Sequence, residues 1–202
     1  MSDLRSQFGQ IDIYLFDQLL RERIRPGMRV LEAGCGSGRN LSYFLQAGYE
    51  VAAVDAEPES VKCVRRMASA FAPHIPEDNF RVEAIEWMSF PDNFADAVVS
   101  VAVLHFARDD AQFSAMLASL WRVLRPGGLF FCRLASSIGM EERMVPRGDR
   151  RFLLPDGSER YLVDEALLLD WTERLSAELL DPLKTTVVQD QRCMTTWVLR
   201  KQ

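Results

Sequence analysis

Several things are scarce in this chain, and each scarcity closes a route. Its four cysteines, Cys35, Cys63, Cys132 and Cys193, stand far apart, with no C-x-x-C pair and no metal-ligand spacing. Neither a disulfide framework nor a metal site is expected, and the four read as reduced thiols of a cytoplasmic protein. Cys132 and Cys193 fall in strand-like runs, where a small apolar side chain packs well. Only two histidines are present, His74 and His105. No apolar run approaches membrane-spanning length, and Met1-Ser2-Asp3-Leu4 lacks the basic start and apolar stretch of a secretion signal. No membrane partner is expected. Positive charge is also in deficit, 24 basic against 29 acidic side chains for a net charge of −5. That balance disfavours a broad phosphate-tracking surface, so no nucleic-acid partner is expected either.

What is present is an ordinary globular composition, 48% apolar and 26% charged over 202 residues, enough for one domain, 1–202, with its own core. Strand and helix patterns alternate, the mark of a parallel sheet covered by helices. A helix is predicted over 11–23, then a strand over 29–33 that runs into the turn Gly34-Cys35-Gly36-Ser37-Gly38. A helix over 40–46 stops at Gly48. A strand over 50–54 closes on Asp55, a helix over 57–71 carries Pro58 in its first turn, and a short strand spans 79–84. The run Ala95–Val101 is apolar enough to be buried on both faces. A helix over 111–124 and a strand over 129–134 follow. Residues 136–162 are rich in Arg, Gly, Pro and Met without periodicity, and read as a long loop or minor insertion. Asp164 caps a last helix, and strands over 177–188 and 193–201 close the chain as an antiparallel hairpin. The expected fold is a Rossmann-like α/β three-layer sandwich, its seven-stranded sheet mostly parallel and ending in that hairpin.

The strongest chemical signal is the apolar strand feeding directly into G-x-G-x-G and a helix. Glycines there let the backbone approach a ligand and expose amides at a helix start. The dinucleotide fingerprint G-x-G-x-x-G would need glycine at position 39, which is Arg39. Asp55 ends the second strand seventeen residues after Gly38, where a carboxylate can accept both hydrogens of a ribose diol. Asp55 alone would more often be a capping acid; beside this turn, ribose binding is the better reading.

Glu32-x-Gly34-x-Gly36-x-Gly38 with Asp55 resembles the class I S-adenosylmethionine-dependent methyltransferases. The resemblance continues through Phe90-Pro91-Asp92-Asn93-x-x-Asp96-Ala97-Val98-Val99 and Leu124-Arg125-Pro126-Gly127-Gly128, and covers about residues 25 to 135. It implies that S-adenosyl-L-methionine is the cofactor, with Gly34 and Gly36 facing its methionine part and Glu32 organising the turn. Cys35 and Asn40, in and just after the turn, are counted with them. Asp55 would bind the ribose, and Ala56, Ile85 and Glu86 would flank the adenine. Ala84 stands where many relatives carry an Asp, so the acid contacting the adenine amine is either missing or supplied by Glu86. The backbone of Val101 or Ala102 would line the methionine end. Shorter words, Gly38-Arg39-Asn40-Leu41 and Leu154-Pro155-Asp156-Gly157 among them, resemble a tellurite- and thiol-type subgroup.

Methyl transfer is an in-line displacement, so the protein mainly aligns donor and acceptor. A small-molecule acceptor is expected. Its identity is open, as is the oligomeric state. Ser100-Val101-Ala102-Val103 stands where an Asn/Asp-Pro-Pro-Tyr element would have marked an amine acceptor. An oxygen or nitrogen acceptor would call for a base, and His105 is the histidine near the expected site; a polar loop residue beside Phe106 is the simpler reading. Tyr14 or Phe8 can face the sulfonium, since cations favour aromatic faces, though both suit a packed amphipathic helix as well. The loop 143–160 carries Arg143, Arg147, Arg150, Arg151 and Arg160, with Arg147 and Arg151 taken as candidates to hold a carboxylate or phosphate of the acceptor. Alternatives are a non-catalytic module that senses S-adenosylmethionine and, less fitting, a nicotinamide-dependent oxidoreductase.

Overall fold

The computed structural model describes residues 4–202; the expectation about a secretion signal falls mostly on residues 1–3, outside the described residues. Helices α1 (Leu4–Phe8) and α2 (Ile13–Leu20) precede β1 (Arg29–Ala33). Then come α3 (Leu41–Gln46), β2 (Glu50–Asp55), α4 (Pro58–Phe71), β3 (Phe80–Val82), β4 (Ala95–Val101), α5 (Asp110–Val123) and β5 (Leu124–Ala135). The C-terminal third holds β6 (Val145–Gly148), β7 (Arg151–Leu153), β8 (Glu159–Tyr161), α6 (Glu165–Arg174), β9 (Ala177–Leu179), β10 (Lys184–Val188) and β11 (Arg192–Lys201).

The main sheet has the order β10-β11-β5-β4-β1-β2-β3. Its five N-terminal strands are mutually parallel, and β11 runs antiparallel to β5, β9 and β10. Because β5 occupies one edge of β11, β9 and β10 share the other edge end to end, eight strands on seven positions. The single strand expected over 177–188 is thus two, parted by the irregular stretch around Pro182, which has no N–H to give a ladder. Alternate residues feed two cores. Val30, Val51, Ala53, Ala97 and Val99 pack with Leu15, Phe44 and Val64. Leu31, Ala52, Val54 and Val98 pack with Leu117, Leu120 and Leu168 on the opposite face. Both faces being covered explains why these strands read as continuous apolar runs.

Two expectations are corrected. Helix α2 is shorter than 11–23, because Asp12 caps it and Glu22 takes a left-handed conformation, φ +55°, just after it. Residues 136–162 are not a structureless loop: β6, β7 and β8 form a three-stranded antiparallel sheet. Its strands are only three or four residues long, too short to show alternation. Met140, Met144, Leu154, Leu162 and Cys193 bury a small core of their own beneath it. Polar ties fasten it to the main body: Tyr161 donates its hydroxyl to Asp110 (2.7 Å), and Arg150 donates to Asp164 (2.8 Å).

Asp164 therefore has two jobs. Its Oδ1 accepts from the Leu167 backbone N–H at 2.7 Å, capping α6, while Oδ2 takes Arg150. Asp164→Ala is expected to lower stability by about 1–2 kcal/mol, the usual worth of an N-cap, read as a drop in the urea midpoint; a midpoint unchanged from wild type would show that the cap contributes nothing.

Candidate functional site

The sheet's strand order reverses between β1 and β4, and ligands of open α/β sheets bind outside the carboxyl ends of the strands at that switch point. A cavity of about 550 Å³ lies there, within the usual size range for small-ligand sites. Its floor is the turn after β1. The Gly34 and Cys35 N–H groups both donate to the Val54 carbonyl (2.8 and 3.0 Å), which ties the turn to the end of β2. Gly34 has φ +76°, and a Cβ on it would lie 2.3 Å from Val103 Cγ2, so only glycine lets the segment after β4 close over the turn. Gly36 also has positive φ, and the position of its missing Cβ meets nothing within 4 Å.

Asp55 sits across from this turn. Its Oδ2 accepts from the Gly36 N–H at 2.8 Å and its Oδ1 from the Glu57 N–H at 2.9 Å. A carboxylate offers about four lone-pair directions, so each oxygen keeps capacity for a ligand hydroxyl. Turn and carboxylate converge on one cavity.

Glu32 is buried at the cavity wall. Oε1 accepts from Asn40 Nδ2 at 2.6 Å, while Oε2 is buried with no partner. Asn40 Oδ1 in turn accepts from the Asp12 backbone N–H (2.9 Å), and Asp12 Oδ2 takes Arg133 (3.1 Å). Burial pushes the Glu32 carboxyl up to about 8; the Asn40 hydrogen bond and the Arg39 charge oppose that rise, and the negative charges of Asp55 and Asp12 add to it. An orphaned buried carboxyl oxygen in a ligand-sized cavity calls for a hydrogen-bonding partner, and a cationic one would draw the carboxyl back to its charged form.

Of the residues named from sequence, the structure brings Glu32, Gly34, Cys35, Gly36, Asn40, Asp55, Ala56, Ile85, Glu86 and Val101 to this one cavity. Burial drives the Cys35 thiol far above its ordinary range, so Cys35 is wall rather than nucleophile. Glu86 holds Gln112 (2.8 Å) at the end where Ala84 supplies no acid. Tyr14 does not line the cavity: its hydroxyl bonds Thr186 (2.6 Å) and the Arg133 guanidinium lies 5.2 Å from its ring centroid. Phe8 stacks on Tyr43, with centroids 5.0 Å apart. Both aromatics pack the N-terminal helices. Arg151 and Arg147 are also corrected. Arg151 holds Glu159 and the Ala107 carbonyl (3.0 Å), and Arg147 sits on the exposed strand β6. Neither lines this cavity or the one adjoining it.

His105 lies outside the first cavity and lines a second, adjoining one. Its Nδ1 accepts the Ala135 N–H at 3.1 Å, so Nδ1 is unprotonated and the neutral ring carries its proton on Nε2. Burial, helped by the Arg160 charge, lowers its pKa to about 4. That overturns the base role: one nitrogen is occupied and the other already protonated. Sequence reading missed Val103, Phe106, Gln112 and Met116 on the wall of the first cavity; nothing in their local pattern separates them from core. Ala102 was reached only as backbone; it holds φ +61°, uncommon for a non-glycine residue, and so turns the chain after β4.

Comparison with known proteins bears on the same span. Residues 31–132 match the family model described as "Methyltransferase domain". The ubiquinone biosynthesis O-methyltransferase of Methylocella silvestris is 34% identical over 155 residues, 68% of this chain and 58% of that protein. The chain thus spans less than two thirds of that curated relative's length. Among solved structures, a SAM-dependent methyltransferase from Methanosarcina mazei superposes with a TM-score of 0.71 at 20% identity, covering 91% of this chain and 96% of that one. The 1,6-didemethyltoxoflavin-N1-methyltransferase of Burkholderia thailandensis, with bound S-adenosylhomocysteine, gives 0.71 at 20% identity over 99% and 81%. With the family model matching half of its length, this chain belongs to the methyltransferase-domain family.

Proposed function

We propose that this chain is an S-adenosyl-L-methionine-dependent methyltransferase acting on a small molecule, its residues 1–202 working as one domain. The observation that carries the reading is the convergence of the Gly34–Gly38 turn and the Asp55 carboxylate on one cavity. Asp55 would hold the ribose hydroxyls, Ile85 and Glu86 would flank the adenine, and Glu32 with the open face of Gly36 would receive the methionine part. When bound, the cofactor supplies a methyl group activated by a sulfonium. The protein's share is position: the Val54 carbonyl fixes the turn, Val103 clamps it, and the Asp12–Asn40–Glu32 chain sets the one unpaired oxygen. Four free cysteines suit a reducing compartment, and the cytoplasm is the proposed location; among the described residues no helix is long and apolar enough to cross a membrane. The O-methyltransferase name of the Methylocella relative supports oxygen as the accepting atom.

Three measurements test this reading. Asp55→Ala should weaken S-adenosylhomocysteine binding by about 1–3 kcal/mol, the penalty for stranding polar partners; a calorimetric affinity equal to wild type would take Asp55 out of the site. Glu32 exposes a trade between stability and binding. Its folded pKa lies above its unfolded value, so its contribution to stability is full below about pH 4.5 and is lost as pH rises through about 8. Ligand-free Glu32→Gln should therefore match wild type near pH 5 and unfold at higher urea than wild type at pH 8.5, yet bind S-adenosylhomocysteine about tenfold or more weakly. Equal pH slopes for the two proteins would contradict the burial argument. Finally, the His105 ring should titrate near pH 4 by NMR; a midpoint above 6 would restore it as a base.

A further inference from the structure

A second cavity, about 310 Å³, adjoins the first and shares Arg39 and Ala102 with it. Its walls come from parts of the chain far apart: His105 after β4, Arg133 on β5, Leu154 to Arg160 at alternate positions in the small sheet, and Val188, Arg192, Cys193 and Met194 of the hairpin. Leu154, Val188 and Met194 give it apolar surface. Its charge is lopsided. Four guanidinium groups line it, Arg39, Arg133, Arg160 and Arg192, against one carboxylate, Asp156.

The local acids are already engaged. Asp156 accepts from the Ser158 N–H (2.9 Å) and hydroxyl (2.6 Å), which closes the turn between β7 and β8. Glu159, next to Arg160, is taken by Arg151, and Asp190, two residues before Arg192, by Arg143 (2.6 Å). Asp12 serves both Arg133 (3.1 Å) and Arg39 (3.8 Å). Arg160 donates to the Glu159 carbonyl and lies 4.8 Å over the Phe106 ring, at the border of the two cavities. Among the described residues neither Arg160 nor Arg192 has a carboxylate within 4.0 Å. Arg133 Nε is buried without a partner. His105, neutral with its proton on Nε2, adds a donor and no negative charge. Arg160 and Arg192 both act electrostatically on Asp156, but three further guanidinium charges remain against that one carboxylate in a cavity with a partly apolar wall. That is the side of a recognition pair that oxyanions complete through charge-assisted hydrogen bonds.

We propose that this second cavity holds the methyl acceptor, and that the acceptor carries an oxyanion, a carboxylate or a phosphate, on an apolar body. Arg160 and Arg192 take the anion, and Leu154, Val188 and Met194 take the body. The assignment rests on the methyl-transfer reading above and narrows its substrate class. It also replaces Arg147 and Arg151 as anion ligands.

The test uses the full chain loaded with S-adenosylhomocysteine. Matched probes are titrated in by ligand-observed NMR: 4-hydroxybenzoate against its amide, and phenyl phosphate against phenol. The anionic member should bind at least tenfold tighter, and the carboxylate and phosphate arms tell which oxyanion fits. Arg192→Gln, on an exposed residue of the hairpin, and Arg160→Gln should each shrink that preference several-fold, with S-adenosylhomocysteine affinity within twofold of wild type. Intact S-adenosylhomocysteine binding with no preference for either anion, or a preference untouched in both variants, overturns this inference alone. Failure of the wild type to bind S-adenosylhomocysteine overturns the methyl-transfer reading, and this inference with it.

Discussion

A carboxylate buried in a protein core costs several kcal/mol unless its oxygens are satisfied, and Glu32 is satisfied on one side only. Much of the N-terminal architecture follows from that half. Asn40 holds Oε1, Asp12 holds Asn40 through its backbone N–H, and the Asp12 side chain caps α2 through the Tyr14 and Leu15 N–H groups. One line of hydrogen bonds thus runs from the start of a surface helix to the end of the central strand. The Asp12 side chain also takes Arg133 on β5, so the same line fixes a side chain of the second cavity. The proposed cofactor and acceptor cavities share a frame before either is filled.

The unsatisfied oxygen is best understood as stability held back for binding. A residue that wanted only to pack at position 32 would be apolar, as Leu31 and Ala33 beside it are. The acid weakens the ligand-free fold as pH rises and offers the ligand a partner that water cannot reach. Strain at Ala102 has the same character: it turns the chain so that Val103 lies over Gly34, and such strain clusters at functional sites.

The N-terminal five strands and the residues that line the first cavity were legible in the sequence because each lies beside its own signal. Glu32 to Gly38 follow a strand directly, Asp55 ends the next, and Val101 ends the fourth; parallel strands bring those carboxyl ends together without any knowledge of packing. Local chemistry also fixed Asp164 as a cap. Where the reading failed, the deciding contact was distant. Tyr14 looked available to a cation, and it is: the cation over its ring is Arg133, 119 positions away in the chain. The sheet of β6 to β8 has strands too short for periodicity and is held by a side-chain core that includes Cys193 from the hairpin. The words resembling a thiol-type subgroup turn out to sit on structural work. Asn40 serves Glu32, and Asp156-Gly157 makes the β7–β8 turn, while Asn40 lines the first cavity and Leu154 and Asp156 line the second.

The two cavities differ in how they are made, and that difference bears on what each can specify. The first is assembled from strand ends and their following turns, positions dictated by the sheet itself, so it can change little without breaking the fold. The second is closed by the small sheet and by the hairpin, pieces added outside the parallel core, and those pieces add Arg160 and Arg192 to the core's Arg39 and Arg133. Arg160 and Arg192 sit on the β8 strand and the start of β11, each beside an acid that a different arginine has already claimed. Glu159 is held by Arg151 and Asp190 by Arg143, so neither of these sequence neighbours pairs with Arg160 or Arg192. The outer ion pairs of Arg151 and Arg143 thereby keep the inner positive charge available. Exposed ion pairs add little to stability; here their consequence is which charges are left facing the cavity.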